Sequence, residues 1–138
     1  MIQFTRFLRL KLAYNKGIIS ETKSSPEINF NSETNILSIK GESYPENTTL
    51  FYEPVFKWLE SYMNTIIEKA TVNIELIYFN SSSSKVLMDL FEFFEDHCEE
   101  GKNIIVNWIY DEDNDAALEY GEEFAEDVES LTFNLVEK

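Results

Sequence analysis

Few residues in this chain have the means to do chemistry. Four consecutive serines, Ser81–Ser84, lie in the run IYFNSSSSKV. A serine attacks a substrate only when a base stands within reach. The one histidine, His97, follows on the same predicted helix. At about 1.5 Å per residue it sits roughly 20 Å from the serines, which excludes a Ser-His-Asp triad. His97 and Cys98 are neighbours in sequence, and neighbouring helical residues do not face each other, so they make a poor dyad. Two readings of the serines remain. A serine before Lys85 and Val86 can cap a helix by accepting from its first free amides. Alternatively, a hydroxyl accepts a phosphate, which would meet those amides, the positive end of the helix dipole and Lys85. One cap needs one serine, so the run of four exceeds that need.

The other candidate is acidic. Asp111, Asp113, Asp115 and Glu122 in DEDNDAALEYGE hold the first, third, fifth and twelfth places of a calcium loop. Ala116 stands where the sharp turn requires glycine, and a strand precedes the loop where a helix should enter. Carboxylates complementing a helix dipole are the simpler account. No metal, cofactor or catalytic residue is assigned.

The elements around these residues follow from hydrophobic spacing. Glu27–Phe30 and Ile36–Lys40 read as two strands joined by a polar turn, Asn31–Asn35. After the breaker-rich GESYPEN, Phe51, Val55, Leu59, Tyr62, Met63 and Ile66 fall on one helix face within Leu50–Ile67, with Pro54 expected in the first turn of the main helix. Thr71–Phe79 is the clearest strand, with Val72, Ile74, Leu76 and Tyr78 on one side. Lys85–His97 is helical and ends at Gly101. Asn103–Tyr110 is a second central strand, Asp115–Glu129 a third helix and Leu131–Val136 a last strand. The order ββαβαβαβ predicts an α/β fold: a single-layer mixed sheet of about five strands with helices packed mainly on one face. The serines then lie at the carboxyl end of a central strand, where ligands and chemistry gather in open α/β sheets.

Composition narrows the class of function. The chain has 138 residues, 43% hydrophobic and 14% aromatic, enough for one domain with its own core. Four glycines and three prolines argue against disorder, and a single cysteine rules out an intramolecular disulfide and fits a reducing cytoplasm. No run has the roughly 18 apolar residues of a membrane span, so no membrane partner is expected. Residues 1–16 are basic and interrupted by Arg6, Arg9 and Lys11; they read as a mobile or loosely packed extension before a single domain at 17–138. Net charge is −15, with 16 acidic against two basic residues from Phe91 to Lys138. Such a surface repels phosphate backbones, which makes nucleic acid a poor partner and a basic protein surface a good one.

Several words of the sequence carry a resemblance. SSPEINF, ILSIKGESYPEN, FYEPVFKWLESY, YFNSSSSK, NWIYDEDND and EYGEEFAED resemble, in the same order, the SiaC family of bacterial regulatory phosphoproteins. The resemblance runs from about Ser20 to Lys138 and implies a fold akin to STAS domains. It also implies a non-enzymatic, partner-switching role. A protein kinase phosphorylates the protein, a PP2C-type phosphatase reverses this, and the unphosphorylated form activates an effector, a diguanylate cyclase, affecting cyclic-di-GMP and biofilm behaviour. The family's acceptor is the hydroxyl residue after the asparagine of YFN, here Ser81, where the family usually has threonine. Ser82 and Ser83 stand as competitors. The implied partner surface is Tyr44, Pro45, Glu46 and Asn47 of GESYPEN with Asn80, Ser82, Ser83 and Lys85. The rival expectation is a constitutive binding module whose serines only cap a helix.

Overall fold

The computed structural model describes residues 16–66 and 68–138. Nine elements follow in order: β1 (Lys16–Ile19), β2 (Glu27–Asn31), β3 (Ile36–Ser43), α1 (Thr48–Thr65), β4 (Ala70–Phe79), α2 (Ser81–Glu99), β5 (Ile104–Tyr110), α3 (Asp115–Glu126) and β6 (Thr132–Glu137). They build one six-stranded sheet in sequence order, β1 to β6. β1, β2 and β3 pair antiparallel, and β3, β4, β5 and β6 pair parallel. The mixed α/β class expected from the sequence is the one observed, with one strand more than the five predicted. The added strand is β1, which begins at the last residue assigned to the extension; Met1–Asn15 lies outside the described residues. β1 is only four residues long and contains Gly17, whose missing Cβ lets the Trp58 side chain of α1 approach to 3.0 Å of where it would stand.

One parity of each strand is buried. Leu37 and Ile39, Val72 and Ile74, and Ile104, Val106 and Trp108 face the helices. The other parity is mostly half-exposed and mixes Ile105 and Ile109 with polar Ser38, Asn73 and Asn107. The three parallel β-α-β crossovers therefore lay their helices on one face, as right-handed connections moving in one direction require. On the uncovered face Asn107 donates to Asn73 (2.9 Å) and Asn134 to Asn107 (3.1 Å), a ladder of register-matched amides across β4, β5 and β6.

Two local expectations are corrected. α1 starts at Thr48, because Asn47 caps it by accepting from the Leu50 amide (3.0 Å); Pro54 thus sits inside the helix and forgoes its own bond there. Tyr78 does not share the buried face of Leu76. A bulge opposite Gly41 and Glu42 inserts Ile77, so Gly41 pairs with Leu76 while Glu42 pairs with Tyr78. Ile77 and Tyr78 turn outward, 66% and 52% exposed, and Phe79 returns to the core against Trp108 and Phe124.

Candidate functional site

The serine run follows the bulge directly. It does not precede a helix that begins at Lys85; it is the first turn of α2. The cap is Asn80, in extended conformation, whose Oδ1 accepts from the Ser83 amide (2.9 Å) while its carbonyl takes the Ser84 amide (2.9 Å). Asparagine is among the best capping residues, so none of the serines is needed for that task. This corrects the expectation that they cap the helix.

Burial then separates the four hydroxyls. Ser81 and Ser82 are exposed, Ser84 is half-buried and Ser83 is fully buried. The Ser83 Oγ lies 2.8 Å from the Ser43 Oγ, which lies 2.6 Å from the Tyr52 hydroxyl. Ser43 is also fully buried, and its carbonyl accepts from the Asn80 amide (3.1 Å). The last residue of β3 therefore holds the start of α2 by main chain and side chain at once. Burial pushes the Tyr52 phenol up to about 12, against the lowering effect of its bond with Ser43.

GESYPEN reaches the same end of the sheet. Tyr44 follows Ser43, its amide donates to the Ser24 carbonyl (2.7 Å), and its ring meets Tyr78 edge-on at 5.7 Å. Pro45 is half-buried, Glu46 is exposed, and Asn47 is exposed and used as the α1 cap. Lys85 is exposed one turn beyond Ser81. The expected residues therefore lie together at the carboxyl ends of β3 and β4, except that Ser83 points inward, away from any partner. Sequence reasoning missed Ser43 and Tyr52, whose hydroxyl types alone carried no signal, and Tyr78, whose exposure depends on the bulge.

All three helices begin at this end, since each follows a parallel strand. Their caps are Asn47, Asn80 and Asn114, each accepting from the amide three residues on. Three positive dipole ends thus gather at one edge of an acidic molecule. The acidic segment after β5 lies here too. Asp111 accepts from the Asp113 amide (3.1 Å), and Asp115 opens α3. Among the described residues no three His, Cys, Asp or Glu side chains come together as a metal-ligand set. The Phe93 ring contacts His97, which is in the last turn of α2, at the far end of the helix from the serines. Among the described residues no helix is long and apolar enough to cross a membrane.

The model of the SiaC family of regulatory phosphoproteins matches residues 19–138. An uncharacterized protein of Pseudomonas aeruginosa strain UCBPP-PA14 is 33% identical over 109 residues, covering 79% of this chain and 86% of that one. Among solved structures, the fold is similar to that of the diguanylate cyclase SiaD in complex with its activator SiaC from Pseudomonas aeruginosa. The TM-score is 0.83 at 31% identity, covering 88% of this chain and 99% of the other. It is also similar to apo-SiaC from the same organism, with a TM-score of 0.77 at 28% identity over 89% and 98% of the two chains.

Proposed function

Because the chain belongs to the SiaC family of regulatory phosphoproteins, we propose that it is a non-enzymatic switch whose phosphoacceptor is Ser81. A protein kinase and a PP2C-type phosphatase set its state in the cytoplasm, and the unphosphorylated form binds and activates a diguanylate cyclase. The observation that carries this reading is the exposed Ser81 hydroxyl at the first position of α2, with the capping duty taken by Asn80. The likeness to an activator seated on a diguanylate cyclase supports the choice of effector. In the forward step the Ser81 Oγ bonds to the γ-phosphorus of ATP, the bond from that phosphorus to ADP breaks, and the hydroxyl proton passes to a base of the kinase. In the reverse step water attacks phosphorus, releasing inorganic phosphate and the serine hydroxyl.

The switch follows from electrostatics and desolvation. A phosphate adds nearly two negative charges and three acceptor oxygens, which the first free amides of α2 can receive. It would stand at the end of the sheet that also carries the exposed Tyr78, Glu46 and Lys85, where a docking partner must otherwise make dry contact. The test measures phosphate uptake by mass spectrometry and cyclase binding by pulldown and calorimetry. Ser81→Ala should take up no phosphate at that position and keep cyclase binding, whereas the phosphorylated chain and Ser81→Asp should bind about tenfold more weakly or worse, about 1.4 kcal/mol. Equal binding by Ser81→Ala and Ser81→Asp would favour a constitutive module instead, and undiminished uptake by Ser81→Ala would remove the site assignment.

A further inference from the structure

We propose that the buried hydroxyl chain Tyr52–Ser43–Ser83 withholds Ser83 from phosphorylation and steadies the first turn of α2 that presents Ser81, with Ser43 as the positioning residue. This inference rests on the reading of Ser81 as the acceptor.

By chemistry the four serines are alike, so something else must distinguish them. Ser83 is fully buried and spends its hydroxyl on Ser43 (2.8 Å). Ser43 in turn meets Tyr52, itself only 3% exposed and anchored in α1 (2.6 Å). The Ser43 carbonyl also takes the Asn80 amide (3.1 Å). The first turn of α2 is thereby fixed at two points, Asn80 and Ser83. Ser81 and Ser82 lie between them, outside, and neither hydroxyl is engaged by another described residue. Fixing both flanks holds the Ser81 backbone in place, so only the side-chain rotation of its exposed hydroxyl is left to order, and a better-placed nucleophile needs less ordering at the reacting centre. It also withholds Ser83, which would have to leave the core to react. The two parts of the resemblance, GESYPEN and YFNSSSSK, are joined physically by this clamp.

The experiment compares the full chain with Ser43→Ala, with the milder Tyr52→Phe, and with the triple variant Ser43→Ala/Tyr52→Phe/Ser83→Ala. Each is incubated with the kinase and ATP well below its melting temperature. The site and initial rate of phosphate uptake are read by mass spectrometry, and amide exchange over Asn80–Lys85 is read without kinase. The unaltered chain should carry phosphate on Ser81 and none on Ser83. Ser43→Ala should exchange faster in this turn and lose about fivefold in rate at Ser81, the scale of one hydrogen bond. The triple variant leaves no buried hydroxyl unpaired and should regain stability, yet remain slow. If Ser43→Ala matches the unaltered chain in rate, site and exchange, the positioning role falls while Ser81 stands. Recovery of the rate together with stability in the triple variant would make the clamp merely structural and likewise overturn it. If the unaltered chain takes no phosphate on Ser81, both readings fall.

Discussion

Glu95 does more than its place among the many carboxylates of an acidic helix suggests, and it is half-buried there. Its carboxylate accepts from the amides of Glu129, Ser130 and Leu131, at 2.8–3.2 Å, and so ties α2 to the turn that leads into β6. Desolvation works to raise its pKa, but the three backbone donors win and hold it below the usual carboxylate range. A lowered folded-state pKa means that the stabilisation is complete above the unfolded value, near 4.5, and drains away as pH falls through the lower folded value. Glu95→Gln should therefore lower the urea midpoint at neutral pH, and the gap from the unaltered chain should shrink as pH falls below the unfolded value, near 4.5. A gap that is constant from pH 7 to 3 would mean that the carboxylate charge plays no part in the tie. The same residue bears on Cys98, whose thiol is pushed up by burial first and by the nearby Glu95 charge as well.

At the scale of elements, the closest seating is that of α3 on the sheet. The Trp108 indole donates to the Ala117 carbonyl (2.8 Å) and lies against Gly121. A Cβ at Gly121 would come within 2.5 Å of Trp108 Cδ1, which is buried among the rings of Phe79, Phe91 and Phe124, and within 2.8 Å of a methyl of the partly exposed Leu135. Gly121→Ala should thus destabilise the fold by about 1–3 kcal/mol, the ordinary cost of overpacking, read as a lower urea midpoint by tryptophan fluorescence. No change would mean that α3 slides freely on β5 and β6. The sequence made this layer legible because Phe51 to Ile66, Val72 to Leu76 and Ile104 to Trp108 repeat at the period of their element. It failed where one element answers to another. The outward turn of Tyr78 depends on the bulge opposite Gly41 and Glu42. β1 depends on Gly17 yielding room to Trp58. The start of α2 depends on Asn80 being held by Ser43. For the same reason Ser81 was reached by resemblance, whereas Ser43 and Tyr52, distant in sequence from it, carried no pattern of their own.

Across the whole molecule, charge is sorted by place. α2 carries five acidic residues against Lys85, and α3 carries five against no basic residue. The two helices are neighbours on one face, with Glu92, Glu95 and Asp127 around a groove floored by Met88, Phe91 and Val128. Few ion pairs offset this repulsion among the described residues. Glu75 with Lys138 (2.8 Å) and Glu53 with Lys57 (3.1 Å) both have a largely exposed lysine, and such pairs contribute little. Salt should therefore stabilise this protein: it screens many like-charge contacts and removes few attractive ones. Raising sodium chloride from about 0.02 to 0.3 M, which shortens the screening length from about 20 to 6 Å, should raise the urea midpoint by the equivalent of about 1 kcal/mol. The gain should be larger for the Ser81-phosphorylated chain, which adds nearly two charges to the −15 already present. If the phosphorylated chain gains no more than the unmodified one, the three helix starts at that end already neutralise the phosphate locally. Loss of docking would then have to come from desolvation and shape at Ser81 and not from repulsion at a distance.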